Sequence, residues 1–513
     1  MTSEYDYIVI GAGSAGCVLA NRLTSHPGTT VLLLEAGGAD SNPAIHHPPA
    51  WPTLFGSEVD WAYQTEPEPA LQQAMVPSPR GKVLGGTSAI NAMVYIRGNR
   101  TDFDRWQALG NAGWGYEDVL PFFTRSEDQQ RGASALHGVG GPLHVSDPSD
   151  PSPASLTLLR AAEALGYPSN PDFNGLRQEG AGLYQRTIKD GRRQSAAVAF
   201  LHPILARPNL TTQTGGLVTR LLLEGRRVVG VSYDLPLRDG QQEAHQARAR
   251  REVILSAGAF NSPKLLMLSG IGPAAHLREQ GIAVVADLPG VGANLQDHPL
   301  LKVVFRAQQP LSFSASSNLA EAGLFLNTGV GAAEPAPDVQ FHFAPVPWPH
   351  PRFACGEGPG YLIGVNVSRP DSRGTVRLRS ADPAAPPLIR ANYLETPSDL
   401  QRLVRGVEIA LSLGTHEVFA GIGGAALVPG PEVQGAAALD EFVRHACETV
   451  WHPVGTCKMG RDDMAVVGPD LRVHGIEGLR VADASVMPTI TTGNTNAPTI
   501  MIGEKASALV IAG

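Results

Sequence analysis

Residues 5–16 read YDYIVIGAGSAG and residues 17–37 continue CVLANRLTSHPGTTVLLLEAG. Tyr5 to Ile10 is a short apolar, β-branched run of the kind that forms a buried strand. GAGSAG, Gly11 to Gly16, fits the spacing G-x-G-x-x-G, and the sequence after it reads as helix. A second buried run ends at Glu35, nineteen residues beyond Gly16. Strand, glycine turn, helix and strand make one β-α-β unit of about thirty residues. Glycines at 11, 13 and 16 permit a tight turn, close approach of a pyrophosphate, and packing of helix on strand. Ser14 and Ala15 open the helix, whose free N–H groups and dipole suit a diphosphate. Glu35, followed by Ala36, puts a carboxylate where ribose hydroxyls can donate to it. The fingerprint predicts dinucleotide binding and leaves FAD and NAD(P) both open.

Around this unit the 513-residue chain is globular in composition, with 43% hydrophobic and 17% charged residues and a mean hydropathy of −0.06. A large core is available, and wholesale disorder is excluded. Forty basic against 48 acidic residues give a net charge of −8, which offers no electrostatic footprint for nucleic acid. The 57 glycines and 42 prolines indicate many tight turns around regular elements. Cys17, Cys355, Cys447 and Cys457 are too few and too scattered for a disulfide framework or a paired-cysteine zinc site, and no HExxH is present, so no metal is expected. No apolar run reaches the eighteen residues a membrane span needs. Strand-like sequence begins by Tyr5, leaving no room for a secretory leader, so a cytoplasmic location is expected.

Residues 42–79 are rich in Pro, Trp and His without sustained periodicity, and read as a long surface-wrapping loop with short elements. Gly-rich blocks follow at Gly81–Gly98 (GKVLGGTSAINAMVYIRG) and Gly258–Gly272 (GAFNSPKLLMLSGIG). Between them, RRVVGVSYD and ARREVILSAG read as a hairpin or meander. From about residue 300 to 450 the segments VQFHFAPV, GYLIGVNV and GTVRLRS alternate like strands with one buried face, suggesting an antiparallel sheet. LQRLVRGVEIALSLG and LDEFVRHA are amphipathic helices.

The block Gly81–Asn91, with Tyr95, Gly98 and Asp104 at their spacing, resembles the first signature of the glucose–methanol–choline (GMC) oxidoreductases, and Gly258–Gly272 resembles their second. HGVGGPL, PGVGANLQDHP, WHPVGTCKMG and GLRVADASVMP then occur in that family's order, so the resemblance covers essentially the whole chain. It implies an α/β plus antiparallel β protein: a Rossmann-type FAD-binding domain interleaved with a substrate domain of antiparallel sheet backed by helices. The expected segments are 1–150, 200–300 and 460–513 for FAD, and 150–200 and 300–460 for substrate. It also implies an enzyme that oxidises a small primary alcohol to the aldehyde and passes electrons to oxygen or another acceptor. A lyase of the same fold, resembling hydroxynitrile lyases, is the alternative.

The same resemblance gives residues their roles. Gly85, Gly86, Thr87 and Ser88 would bring backbone close to the cofactor, and Asn91, Ala92, Met93 and Val94 would run past the isoalloxazine ring. Val218 would meet adenine through its backbone, while Asp483 and Ala484 would reach the diphosphate and ribityl region, Asp483 also capping a turn. Similar enzymes place a His, and then a His or Asn, opposite flavin N5, which points to His452 in WHPVGT and Asn496 in NTNAPT. Alcohol oxidation removes a hydroxyl proton and a hydride from the same carbon, so a base is needed beside the hydride acceptor. Neutral imidazole suits that task, and the Asn496 amide can bind the developing alkoxide. Ile90 stands where members with covalently attached flavin carry histidine, so FAD is expected to be non-covalent. An asparagine at the second position resembles choline-type members more than sugar oxidases. Trp61, His342, Trp348 and Trp451 are expected on the substrate side, either as a cation-binding cage or as ordinary apolar lining. His298 in LQDHP reads as a loop-structuring residue.

Overall fold

The first strand, Ser3–Ile10, is buried from Asp6 onward, as a strand covered on both faces must be. Tyr7–Ile10 pair in parallel with Val31–Leu34, and Ile8–Ile10 pair in parallel with Val253–Leu255. Strand Leu210–Gln213 extends the sheet beyond Val31–Leu34. On the other side the sheet forks along the long strand Gln242–Leu255. Its early part meets an antiparallel meander of Arg227–Pro236 and Leu217–Glu224, while Val253–Leu255 pair in parallel with Leu479–Val481. Residues from near both ends of the chain therefore share one sheet, a doubly covered α/β arrangement with the helix Ser14–Leu23 between its first two strands. The description covers residues 3–237, 240–331, 335–348, 350, 352 and 357–513 of a computed structural model; Cys355 lies outside them.

A second sheet is antiparallel throughout, in the order Gly423–Val428, Pro299–Ala307, Gly360–Val367, Val339–Ala344, Ala322–Leu326 and Gly180–Leu183. One face packs on the helix Pro397–Gly414, where glycines bring helix and sheet together: a Cβ on Gly406 would lie 2.5 Å from Val365 Cγ2. The expectation of a single buried face fails here, since Gly360–Val367 is buried at every position. The reason is that the other face is a cavity wall. The pleat sends Val303, Phe305, Ile363 and Val365 into the core, and Leu300, Lys302, Leu362 and Gly364 toward the cavity. A further difference concerns GTVRLRS, of which Thr375–Arg377 pairs with Leu388–Arg390 in a separate two-stranded ribbon.

The C-terminal helix Asn496–Ala512 packs against Ser14–Leu23, and a Cβ on Gly503 would lie 2.9 Å from the Ala15 carbonyl oxygen. Within this contact the wholly buried Glu504 carboxylate accepts from Arg22 Nε at 2.9 Å and from Ser126 Oγ at 3.1 Å, with Arg125 Nε 3.5 Å away. Removing a buried carboxylate strands its cationic partner, which costs about 3 kcal/mol. Glu504→Ala should therefore lower the unfolding free energy in urea by about that amount. A loss below about 1 kcal/mol would mean that water satisfies Arg22 and that the contact is dispensable.

Candidate active site

One cavity runs between the two sheets, and its first end is made by the N-terminal β-α-β unit. The three fingerprint glycines have separate reasons. Gly11 turns at φ +96° with its α-carbon against Ser256, whereas a Cβ on Gly16 would fall 1.8 Å from the Gly11 carbonyl oxygen. At Gly13 a Cβ would meet no protein atom within 4 Å, because it would enter the cavity. Glu35 is buried, with Oε2 accepting from Ala12 N–H at 2.9 Å and Oε1 from Gly37 N–H at 2.8 Å. Burial pushes its carboxyl up to about 7, against the pull of those donors, so hydroxyl donors from a ligand would favour its charged form. Ser14, Ala15, Ala36 and Val218 line the same end. Asp483 caps the turn that follows it through Ser485 N–H at 2.8 Å, accepts from Gly258 N–H at 2.8 Å and, with Ala484, lines the cavity. An open glycine at the helix start, a ribose-side carboxylate and a long groove leading away fit a dinucleotide.

Gly86, Thr87, Asn91, Ala92, Met93 and Val94 line the next stretch. Gly16, Gly85 and Ser88 do not line it; they shape the loops from behind, Ser88 Oγ accepting from Ala196 N–H at 2.9 Å. Gly86 lies so close to Gly13 that a Cβ would sit 2.8 Å from its α-carbon, which joins the two glycine blocks. The turn at 88–93 is fastened by Arg193, which donates to the Asn91 carbonyl at 2.6 Å and to its side-chain oxygen at 2.8 Å. Burial pulls the Arg193 guanidinium down to about 9.

At the far end stands His452, part-exposed in the cavity wall. Its Nδ1 lies 3.0 Å from His298 Nδ1, and His298 Nε2 lies 3.0 Å from the Ser368 carbonyl oxygen. A carbonyl can only accept, so His298 carries its proton on Nε2 and presents a bare Nδ1. His452 must then donate from Nδ1, which leaves its Nε2 as a lone pair. That tautomer follows from the network. Desolvation, then the nearby His298, His342 and Arg80, hold His452 well below the usual imidazole range, and burial brings His298 down to about 3. Both rings are neutral at pH 7. Asp297 fixes their backbones, with Oδ1 accepting from His452 N–H at 2.7 Å and His298 N–H at 2.9 Å. Thus His298 does structure its loop, but it is also the partner that orients His452.

The amide facing His452 is not Asn496. Asn494 Nδ2 lies 3.2 Å from His452 Nε2, and its Oδ1 accepts from Gln340 Nε2 at 3.0 Å, which turns the NH2 toward the imidazole. Asn496 is the first residue of the C-terminal helix, and its Oδ1 accepts from Ser14 Oγ at 2.7 Å, beside the diphosphate end. The two asparagines of GNTNAPT thus face opposite parts of the cavity. The available signal was the helix start: a residue inside the first turn packs with its helix, whereas one in the preceding loop is free to point elsewhere.

Trp61, His342, Trp348 and Trp451 all line the cavity. Trp348 stacks on Trp51 at 5.1 Å, and Phe55 meets Trp451 edge-on at 4.8 Å, so the Pro-rich segment expected at the surface supplies half of this aromatic wall. Trp61 stands apart, stacked on Tyr63 with Lys82 Nζ 4.7 Å above its ring. Trp451 adopts φ +66°, a strained conformation for a bulky residue, held by Thr449 Oγ1 accepting from its N–H at 2.8 Å.

Family models described as GMC oxidoreductase match residues 5–300 and 370–503. An oxygen-dependent choline dehydrogenase of Rhizobium etli is 43% identical, over 98% of this chain and 95% of its own. Among solved structures, pyridoxine 4-oxidase from Mesorbium loti superposes with a TM-score of 0.93 at 35% identity, covering 98% of each chain. A variant of Aspergillus oryzae formate oxidase, studied for modification of its FAD, superposes at 0.91 with 29% identity, covering 100% of this chain and 98% of that one. Matched in both halves and nearly end to end, the chain belongs to the GMC oxidoreductase family.

Proposed function

We propose that this FAD-dependent oxidoreductase converts the CH–OH group of a primary alcohol to the aldehyde, with His452 as the base and Asn494 as the amide that binds the alcohol oxygen. The observation that carries the reading is the His298–His452 pair, which presents a neutral Nε2 beside Asn494 Nδ2 in a cavity whose other end fits a dinucleotide. Bound FAD supplies the hydride acceptor. An alcohol oxygen set between the two side chains can donate its proton to Nε2 and accept from Nδ2–H. As the proton leaves, the amide N–H meets a developing alkoxide, where a preorganised donor counts most. His452 can take the proton at Nε2 once the Asn494 N–H that meets this lone pair at 3.2 Å turns to the alcohol oxygen, and His298 accepts from Nδ1 throughout. Nothing among the described residues of the site favours a lyase.

The FAD-binding unit of this reading comprises roughly 1–150, 200–300 and 460–513, and the substrate unit the segments between. Support comes from two separate cores: Val9, Val253, Val481 and Ile502 belong to one, and Val303, Phe341, Val365 and Leu403 to the other. Non-covalent FAD is supported by Ile90, whose side chain has no nucleophile for a flavin link. Acid precipitation and filtration should leave the yellow colour in solution. Colour retained in the precipitate would contradict non-covalent attachment.

His452→Ala should keep its FAD while anaerobic flavin reduction by alcohol slows by on the order of 10²–10⁴. Asn494→Ala should slow the same step, whereas Asn496→Ala should act on FAD retention, through the lost bond to Ser14. Flavin reduction at wild-type rate in His452→Ala would reject the base assignment, and a slower reduction step in Asn496→Ala but not in Asn494→Ala would reverse the two asparagines.

The pH dependence follows from sign. A base must be neutral to act, and His452 is neutral above a pKa held well below 6.5. The flavin-reduction rate constant should therefore stay level from pH 8 to 6.5 and fall only on further acidification. An acid limb centred at or above 6.5 would show an unshifted imidazole.

A further inference from the structure

The aromatic wall beside His452 already holds a cation. Lys302 points into the cavity from the second sheet, with Nζ 5.1 Å above the ring of Trp348 and 6.0 Å from that of Trp451. Its side chain is only 6% exposed, and Glu448 Oε2 lies 2.6 Å away. The register puts it there: Lys302 pairs with Gly364, and Gly364 with His342, so a row of lysine, glycine and histidine crosses the cavity wall. Gly364 leaves a notch between the other two, since a Cβ there would press to 3.3 Å from Leu300 Cδ1.

Among the described residues, the carboxylates lining the cavity are Glu35 and Asp483. Both are engaged at the nucleotide end, with Ala12 and Gly258 respectively. At the substrate end the described lining residues include Lys302 and Arg80 and no carboxylate; Glu448 lies behind Lys302 and is engaged with it. A quaternary ammonium group there would have to share the rings of Trp348 and Trp451 with Lys302, which already engages Glu448, so it would meet no carboxylate of its own among the described lining residues. An ammonium has three donors, and one glutamate oxygen leaves Lys302 able to serve another acceptor.

Resting on the alcohol-oxidation reading above, we propose that the substrate is an aryl primary alcohol without positive charge. Its ring packs against Trp51, Phe55, Trp348 and Trp451, and a ring acceptor or carboxylate meets Lys302. Lys302 is thus a specificity residue, and choline-like alcohols are poor substrates despite the likeness to choline dehydrogenases.

Unreactive analogues test this by calorimetry on the FAD-loaded enzyme. p-Toluate should bind at least tenfold more tightly than benzyltrimethylammonium. Lys302→Met should remove most of that preference, and so should Lys302→Met/Glu448→Gln, in which no lone buried carboxylate threatens the fold. Equal or tighter binding of benzyltrimethylammonium, or an unchanged preference in the double variant, would overturn the proposal. Anaerobic flavin bleaching by a panel of primary alcohols, benzyl alcohol and choline among them, separates the two readings: no bleaching by any of them defeats alcohol oxidation, whereas bleaching by choline and not by benzyl alcohol overturns the aryl proposal alone.

Discussion

The carboxylate of Asp297 is 6% exposed and accepts from the N–H groups of His298 and His452 and from the hydroxyls of Tyr393 and Thr449. Burial pushes its carboxyl up, and four donors answer that penalty. One buried group thereby anchors two imidazoles that are 154 residues apart in sequence. The two rings meet through Nδ1, and the Ser368 carbonyl then decides which ring carries which proton. Protonation is set by geometry: a carbonyl that only accepts, two positions further along, leaves a lone pair at His452 Nε2. Thr449 also accepts from Trp451 N–H, so the strained residue before the base hangs from the same cluster.

The cavity exists because the chain returns on itself. Its first strand and the late strand Leu479–Val481 flank Val253–Leu255, and the last helix lies on the first. That return brings Asn494 opposite His452 and Asn496 against Ser14 within three residues, so one short loop serves both ends of the site. The second sheet closes the space with the face its pleat turns away from the helix Pro397–Gly414, which is how a lysine in a buried strand comes to point at tryptophans.

Much of this was legible in the sequence, and what was not has identifiable causes. YDYIVIGAGSAG with Glu35 reads directly because strand, glycine turn and acid interact within about thirty residues. His452 was reachable through its motif. The partner role of His298 was hidden because it depends on a contact across 154 residues. Trp51 and Phe55 lie in a segment without periodicity, where no pattern distinguishes cavity wall from solvent-facing loop. The choice between Asn494 and Asn496 turned on where a helix begins, and helix starts are the least well marked feature of a sequence. Lys302 was invisible because a single charge in an apolar strand run declares its face only when the register is known.

Neutron diffraction from deuterium-exchanged crystals of the FAD-loaded enzyme at neutral pH would test the central claim most directly, since it locates protons on both rings. The account predicts deuterium on His298 Nε2 and on His452 Nδ1, with none on His452 Nε2. Deuterium on His452 Nε2, whether as the other tautomer or as an imidazolium, would contradict it.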